Sequence, residues 1–492
     1  MVPPRDPLLT QVVLLVADTA SAYRGTQHEG LLDDVMARLH EPLRVAVAGK
    51  IKAGKSTLIN ALVGDELAPT DAGECTRIVT WYRHGPTYRV TMQPRSGPSR
   101  PVPFRRESGA IDVDLEGIAA DEIESLSVEW PVPVLTQLTL IDTPGIGSLT
   151  SEASMRSLSF LTSDEEYTTP SDAVIYLLRH LHESDVSFLH SFHEEEFAQP
   201  SPVNCIAVLS RADEISAGRL DGMESANKIA ERYRSDPRLR RLVQHVVPVA
   251  GLLAQAGSNL REIEFRRLRV LADSPAEAAP LLLTADRFAS AETRLGLAAP
   301  ERQILLDRLG LFGVRLAVDL LRHGDAHTAT ELADRLVDRS QIARLRELLT
   351  TQFSARRDTL KARSALLAVR RLLMVAPGPR FDELSARVEQ IWMGAHEFVE
   401  LRTLNALRRG EIDLRPVESD EIERLLGMAG SSPTSRLGLA DDSSTDAIRR
   451  ELLSALARWR QREENPVSSL ATKTAARVAV RTCEGLYSAV SS

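Results

Sequence analysis

Leu43-Arg44-Val45-Ala46-Val47-Ala48-Gly49-Lys50-Ile51-Lys52-Ala53-Gly54-Lys55-Ser56-Thr57-Leu58-Ile59-Asn60-Ala61-Leu62 is the stretch whose reading decides the fold. Residues 43–48 are a short, mostly apolar run and read as a buried strand. Residues 56–62 read as the first turns of a helix. Between them, residues 49–56 fit G-x-x-x-x-G-K-[ST], the pattern of a phosphate-binding loop. A strand, a glycine-rich turn and a helix N-terminus aim backbone N–H groups and a helix dipole at an anion. Gly49, Lys50, Ile51, Lys52, Ala53, Gly54, Lys55, Ser56 and Thr57 are therefore the expected cradle for a nucleotide's phosphates. Lys55 suits the reach between β- and γ-phosphates, because an ammonium is compact and mobile where a guanidinium is a rigid fork. The chain holds six lysines against 54 arginines, and three of the six are Lys50, Lys52 and Lys55.

Further along, Leu138–Ile141 is an apolar strand that runs into Asp142-Thr143-Pro144-Gly145, 87 residues beyond Lys55. An aspartate at the end of the strand beside a phosphate loop holds Mg²⁺ through water, and the glycine behind it offers an N–H to the γ-phosphate. Ser56 and Asp142 are the expected metal-side residues, and Gly145 a nucleotide contact. The segment Pro69–Ile78 lies between the two motifs. Thr76 is the preferred residue there to bring a hydroxyl to Mg²⁺ and an N–H to the γ-phosphate when the loop orders, with Thr70 its rival. A third strand, Cys205–Leu209, leads into Ser210-Arg211-Ala212-Asp213. An aspartate in this place accepts from the N1–H and amino group of guanine. Ser210 and Arg211 stand where GTPases usually carry Asn or Thr followed by Lys, and a guanidinium also stacks on a base. Val246–Val249 with Ala250 and Gly251 reads as the final strand and its base-side loop. GTP or GDP with Mg²⁺ is the expected ligand set.

Residues 43–275 alternate short apolar strands with helical stretches, the pattern of a mainly parallel α/β sheet. The expected strands are Leu43–Ala48, Ile78–Tyr82, Tyr88–Met92, Leu138–Ile141, Ala173–Leu178, Cys205–Leu209 and Val246–Val249. Residues 8–40 read as an amphipathic helical segment closed by Pro42, which needs a partner for its apolar stripe. Residues 276–492 read as helices alone. No Gly or Pro interrupts 340–374, so roughly 50 Å of continuous helix is expected. Phe353, Leu360, Leu367 and Met374, seven apart, suggest a coiled-coil-like seam. The expected organisation is thus 1–42, 43–275 and 276–492.

A net charge of −8 excludes a general nucleic-acid footprint. Cys75, Cys205 and Cys483 form neither a metal spacing nor a disulfide framework, which points to a reducing cytoplasm. The apolar run Val12–Ala17 ends at Asp18 and is too short for a membrane span. His180, His182, His190 and His193, beside Glu183 and Glu194–Glu196, read as solvated surface in preference to a metal site. Two spots are candidate lipid-contacting tips: the basic Arg370, Arg371 and Arg380, for which a solvated helix face is the preferred reading, and the apolar Leu425–Met428 with Leu437–Leu439, for which packing between helices is the open alternative.

These elements in this order resemble the dynamin superfamily of large GTPases, and most closely its bacterial dynamin-like branch. The phrases that carry the resemblance are Lys52–Asp65, Ala68–Trp81, Arg83–Thr87, Ser210–Ile215 and Arg308–Arg315. The resemblance covers nearly the whole chain. It implies a P-loop GTPase domain on an elongated α-helical stalk, self-association through the GTPase domains, and work at an anionic membrane surface from the cytoplasmic side. Within the loop, the family carries Ser or a similar polar group where this chain has Lys52. In eukaryotic members that position helps hold a monovalent cation, so Lys52 is a candidate built-in cation and, with Lys55 and Thr76, a catalytic candidate; the alternative is a solvated lysine. Ile51 stands where those members carry a water-positioning residue, and an isoleucine cannot orient water, so slow hydrolysis is compatible with the sequence. Two functions follow: a GTP-hydrolysing membrane-remodelling enzyme, or a low-turnover, nucleotide-dependent assembly partner of a longer dynamin-like protein.

Overall fold

The computed structural model describes residues 7–68, 78–107, 110–144, 171–193 and 204–491. Among the described residues eleven strands are formed: β1 Leu43–Gly49, β2 Val79–His84, β3 Arg89–Pro94, β4 Arg100–Pro101, β5 Phe104–Glu107, β6 Ala110–Val113, β7 Ile123–Trp130, β8 Leu138–Asp142, β9 Ala173–Leu178, β10 Cys205–Ser210 and β11 His245–Val249. Nine of them make one sheet in the order β11-β10-β9-β1-β8-β2-β7-β3-β4, and β5 pairs with β6 apart from it. The block from β11 to β8 is parallel throughout. Its strands are apolar along their length because helices cover both faces. β2 then runs antiparallel to β8, and β7 is parallel to β2.

The labelled helices are α1 Pro7–Ala22, α2 Glu29–His40, α3 Lys55–Val63, α4 Glu183–His193, α5 Gly222–Ser235, α6 Gly251–Ser258, α7 Glu262–Asp273, α8 Ala299–His323, α9 Ala329–Arg339, α10 Ile342–Leu348, α11 Arg357–Val375, α12 Phe381–Gly394, α13 His396–Arg408, α14 Pro416–Leu425, α15 Thr445–Glu464 and α16 Leu470–Ser491. One face of the sheet, through Val45 and Val47, packs on Leu58, Ile59 and Leu62 of α3 and on Ile342–Phe353. The other, through Ala46, Ala48 and Tyr176, packs on Phe188 and Leu189 of α4 and Ala226 and Ala230 of α5. A separate core unites α6–α9. The last core joins Leu8, Val12, Leu15 and Val16 of α1, and Leu32 and Val35 of α2, to α11–α16. The apolar stripe at the N-terminus therefore finds its partner in the C-terminal helices, more than 300 residues away in sequence, as Tyr23 donating to the Ala376 carbonyl also shows (2.6 Å).

Several local expectations are corrected. Residues 8–40 are two helices, because the chain turns at Tyr23–His28 with Gly25 at φ 76°. The 340–374 run is not one helix: a π turn at Leu349–Phe353 and a 3₁₀ turn at Ser354–Arg356 separate α10 from α11. No heptad seam forms, since Phe353 and Leu360 bury into the sheet-side core while Met374 is 53% exposed. Leu425, Leu426, Met428 and Leu437 are buried and form no exposed tip. Arg370 and Arg380 are paired with Glu389 and Glu383.

Arginine does work that composition hides. Arg302 donates to the carbonyls of Phe288, Leu297 and Ala291. Arg356 and Arg408 donate to carbonyls across the junction between sheet edge and C-terminal helices: Arg356 to Leu426 and Gly427, Arg408 to Arg240, Val243 and Gln244. Lys361 closes the same junction on the other side, donating to the carbonyls of Leu39 and Glu41.

Candidate functional site

β1 lies inside the parallel block, with β8 on one side and β9 on the other. Its C-terminal end is therefore flanked by the ends of both neighbours, and the 49–56 loop opens there, as ligand sites do in open α/β sheets. Gly49 is required by a close approach: at φ 153°, a Cβ at this position would lie 2.7 Å from the Leu177 carbonyl oxygen on β9. Lys52 takes φ 62°, unusual for a residue with a side chain, so its backbone is held by the loop around it. Ile51 is 57% exposed. Lys52 is exposed as well and has no hydrogen-bond or ion partner among the described residues.

Lys55 opens α3 and is partly covered. Desolvation lowers its pKa, with the nearby Asp142 acting against that. Asp142, at the end of β8, accepts from Ser56 Oγ at 3.1 Å through Oδ2. Its Oδ1 is buried and has no partner among the described residues, and burial raises its pKa, opposed by Lys55 and the Ser56 hydrogen bond. A buried carboxylate oxygen without a donor is costly unless a cation or water meets it. Ser56, Asp142 and Lys55 thus fit a magnesium-bearing phosphate site. Thr143 is anchored, its Oγ1 donating to the Val47 carbonyl at 3.0 Å.

A cavity of about 150 Å³ leads away from this point. Ala53, Gly54 and Thr57 line its phosphate end, and Ser210, Arg211, Asp213, Glu214, Gly251 and Leu252 its far end. Asp213 is buried there, and desolvation pushes its carboxyl up to about 6. Arg211 adopts φ 53° and its Nη1 donates to Glu214 Oε1 at 2.6 Å. Ser210 Oγ donates to the Leu178 carbonyl at 3.3 Å.

Residues 45–211 match the family model described as "Dynamin family". Isoniazid-induced protein IniC of Mycobacterium tuberculosis is 41% identical over 476 residues, 95% of this chain and 96% of that protein. The chain belongs to the dynamin family. A bacterial dynamin-like protein of Nostoc punctiforme is 32% identical over 114 residues, 21% of this chain and 16% of its own. Isoniazid-induced protein IniA of M. tuberculosis is 22% identical over 307 residues, 53% of this chain and 46% of its own. A solved structure described as an oligomerised bacterial dynamin pair aligns with 100% of this chain and 76% of its own, at 12% identity and a TM-score of 0.34, too low to add to the assignment. At the family level, dynamins are GTPases.

Within this family frame the structure brings Ala53, Gly54, Lys55, Ser56, Thr57, Asp142, Ser210, Arg211 and Asp213 to one cleft. Thr76, its rival Thr70, and Gly145 lie outside the described residues. Lys50 contributes backbone to the loop, but its side chain is committed elsewhere: Nζ lies 3.2 Å from Asp185 Oδ2. Asp185 also accepts from Tyr176 Oη at 2.8 Å and from the His182 N–H at 2.9 Å. Ala250 is buried and spends its N–H on the Ser340 carbonyl, while Val249, Gly251 and Leu252 reach the cavity. Three residues escaped the sequence reading. Glu214 carried a signal as a carboxylate three residues after an arginine. Leu252 carried none. Gly310, at φ 65° and ψ 170°, kinks α8 where a Cβ would meet Leu252 Cδ2 at 3.5 Å and Asp213 Oδ2 at 3.7 Å. The described residues contain no group of three His, Cys, Asp or Glu placed to hold a metal ion. None of the described helices is long and apolar enough to cross a membrane.

Proposed function

We propose that this dynamin-family chain binds and hydrolyses GTP with Mg²⁺, self-associates through the face that carries the nucleotide, and acts in membrane remodelling from the cytoplasmic side. The observation that carries the reading is the single cleft in which a phosphate loop, a buried Asp142 oxygen without a partner among the described residues, and a base-sized cavity ending at Asp213 meet. Ser56 and Asp142 would hold a magnesium ion, which when bound would supply positive charge toward the β- and γ-phosphates. Lys55 reaches the same oxygens, the loop N–H groups cradle the phosphates, and Asp213 accepts from guanine. Thr76 and Gly145 complete the γ-phosphate side. Lys52, exposed and unpartnered among the described residues, serves as the loop's own cation toward developing charge. The units 1–42, 43–275 and 276–492 act as helical segment, GTPase domain and trunk, and the break between α10 and α11 supports a bend within the third.

A second reading is favoured by Ile51. Its exposed apolar side chain offers no water-positioning group, which supports a low-turnover assembly role beside a longer dynamin-like protein. Titration of GTP against ATP, followed by turnover with and without anionic liposomes, separates the two. Guanine-selective binding with turnover of at least several per minute supports the enzyme. Selective binding with negligible turnover in both conditions supports the assembly partner. Equal GTP and ATP affinities defeat both.

A further inference from the structure

Asp213 is surrounded by competitors. Arg211 and Arg179 lie near enough for their charges to act on its carboxyl, and an arginine fork binds a carboxylate through two parallel bonds where a lysine makes a single contact. The family's usual lysine at position 211 poses little such threat. An arginine does, because attraction to a buried carboxylate is stronger than to an exposed one. Yet neither guanidinium is hydrogen-bonded to Asp213. Both are taken by Glu214: Arg211 Nη1 donates to Oε1 at 2.6 Å, and Arg179 Nη2 donates to Oε2 at 2.5 Å. Arg179 follows the end of β9 and Arg211 the end of β10, so one carboxylate ties together the two strand ends that frame the cavity. Glu214 also lines that cavity beside Arg211 and Asp213. It is not buried, its side chain being 44% exposed, so its place is not explained by core packing.

We infer that Glu214 is a specificity-determining residue: it draws Arg211 and Arg179 off Asp213, which leaves the buried carboxylate free for the N–H donors of guanine and lays the Arg211 plane along the cavity wall for the base. The inference deepens the guanine-nucleotide reading and rests on it. Glu214 is a positioning residue, acting on the base through Arg211 and Asp213. It also accounts for the departure at Ser210-Arg211: the arginine is tolerated because a decoy carboxylate sits one residue past the aspartate.

The test is fluorescent-nucleotide titration of GDP and ADP on the full-length chain, for wild type, Glu214→Gln, and Glu214→Gln with Arg211→Lys. Glu214→Gln is expected to weaken GDP by roughly 10- to 100-fold, the size of a lost hydrogen bond to a charged group, and ADP by no more than about threefold. Arg211→Lys on top of Glu214→Gln should return part of the guanine preference, because it removes one of the two guanidinium forks released toward Asp213 and leaves Arg179. Glu214→Asp, whose shorter side chain holds the arginines less well, should fall between, and thermal melting checks that each variant is folded. An unchanged GDP-to-ADP ratio in Glu214→Gln overturns the inference while leaving the guanine reading intact. So does an equal loss for both nucleotides with no rescue by lysine. A wild type without guanine preference overturns both.

Discussion

Removing the ammonium of Lys55 isolates the phosphate contribution to binding, and Lys55→Met is the variant that does so with least change of shape. In the free protein Lys55 is already partly desolvated, which lowers its pKa. Its desolvation is therefore largely met before a ligand arrives, and its bonds to phosphate oxygens count almost in full. Two charge-assisted hydrogen bonds of ~1.5–3 kcal/mol each give ~3–6 kcal/mol, or roughly 10²- to 10⁴-fold in affinity at ~1.4 kcal/mol per decade. The fold itself should hardly notice. A cation whose pKa is depressed by folding disfavours the folded state at neutral pH, and its loss relieves that. Asp142 loses a favourable neighbour but keeps its hydrogen bond from Ser56. The melting temperature should shift by no more than about 4 °C in either direction. Isothermal titration with GTP and Mg²⁺ beside a calorimetric melt measures both quantities. A GTP affinity within about fivefold of wild type would refute the phosphate-site assignment. A collapse of the melt would show Lys55 to be structural.

Asp142→Asn should abolish the gain in GTP affinity that Mg²⁺ gives over EDTA and slow turnover by at least about 100-fold; a persisting magnesium effect would move the ion elsewhere. The carboxyl of Asp213 near 6 sets a pH window. GDP needs the ionised form, so its affinity should be flat above pH 7 and fall about tenfold per unit below pH 6, while ADP affinity stays level; titrations from pH 5 to 8 decide. Gly310→Ala should lower stability by ~1–3 kcal/mol, because φ 65° with ψ 170° is a conformation almost confined to glycine, and should weaken GDP further through Asp213; an unchanged melt would mean that α8 straightens freely.

How much of this was legible depended on the kind of signal. β1, β8, β9 and β10 announce themselves because strands buried on both faces must be apolar throughout. β7 was missed although Leu126, Val128 and Trp130 alternate with Ser127 and Glu129: Ile123 falls out of step, the strand carries Glu and Ser, and it lies where the sheet turns mixed. The phosphate loop, Asp142 and Asp213 were readable since backbone approach and charge placement dictate residue type there. Lys50 misled, because a lysine in such a loop serves the phosphates or a neighbour with equal chemistry, and only the fold brings Asp185 beneath it. The breaks at Tyr23–His28 and Leu349–Arg356 left little trace, as tertiary packing selects where a helix bends when no proline compels it. Arginines were undervalued. With 54 of them no single one stands out, yet Arg302, Arg356 and Arg408 each satisfy two or three carbonyls that loops would otherwise leave unmet.

The scarcity of lysine gives the molecule an uncommon chemical transparency. Of its six side-chain amines, Lys361 is shut inside the junction at Leu39 and Glu41, and Lys228 and Lys473 lie away from the cleft on α5 and α16. The remaining three line the phosphate loop in three different situations: Lys50 tethered to Asp185, Lys52 open to solvent, Lys55 partly covered. An acylating reagent therefore writes a footprint of the nucleotide cleft almost alone, with Lys228 as an internal standard. Occupancy, exchange and closure of the site can be followed by mass spectrometry of one tryptic region, without a fluorophore or an engineered residue.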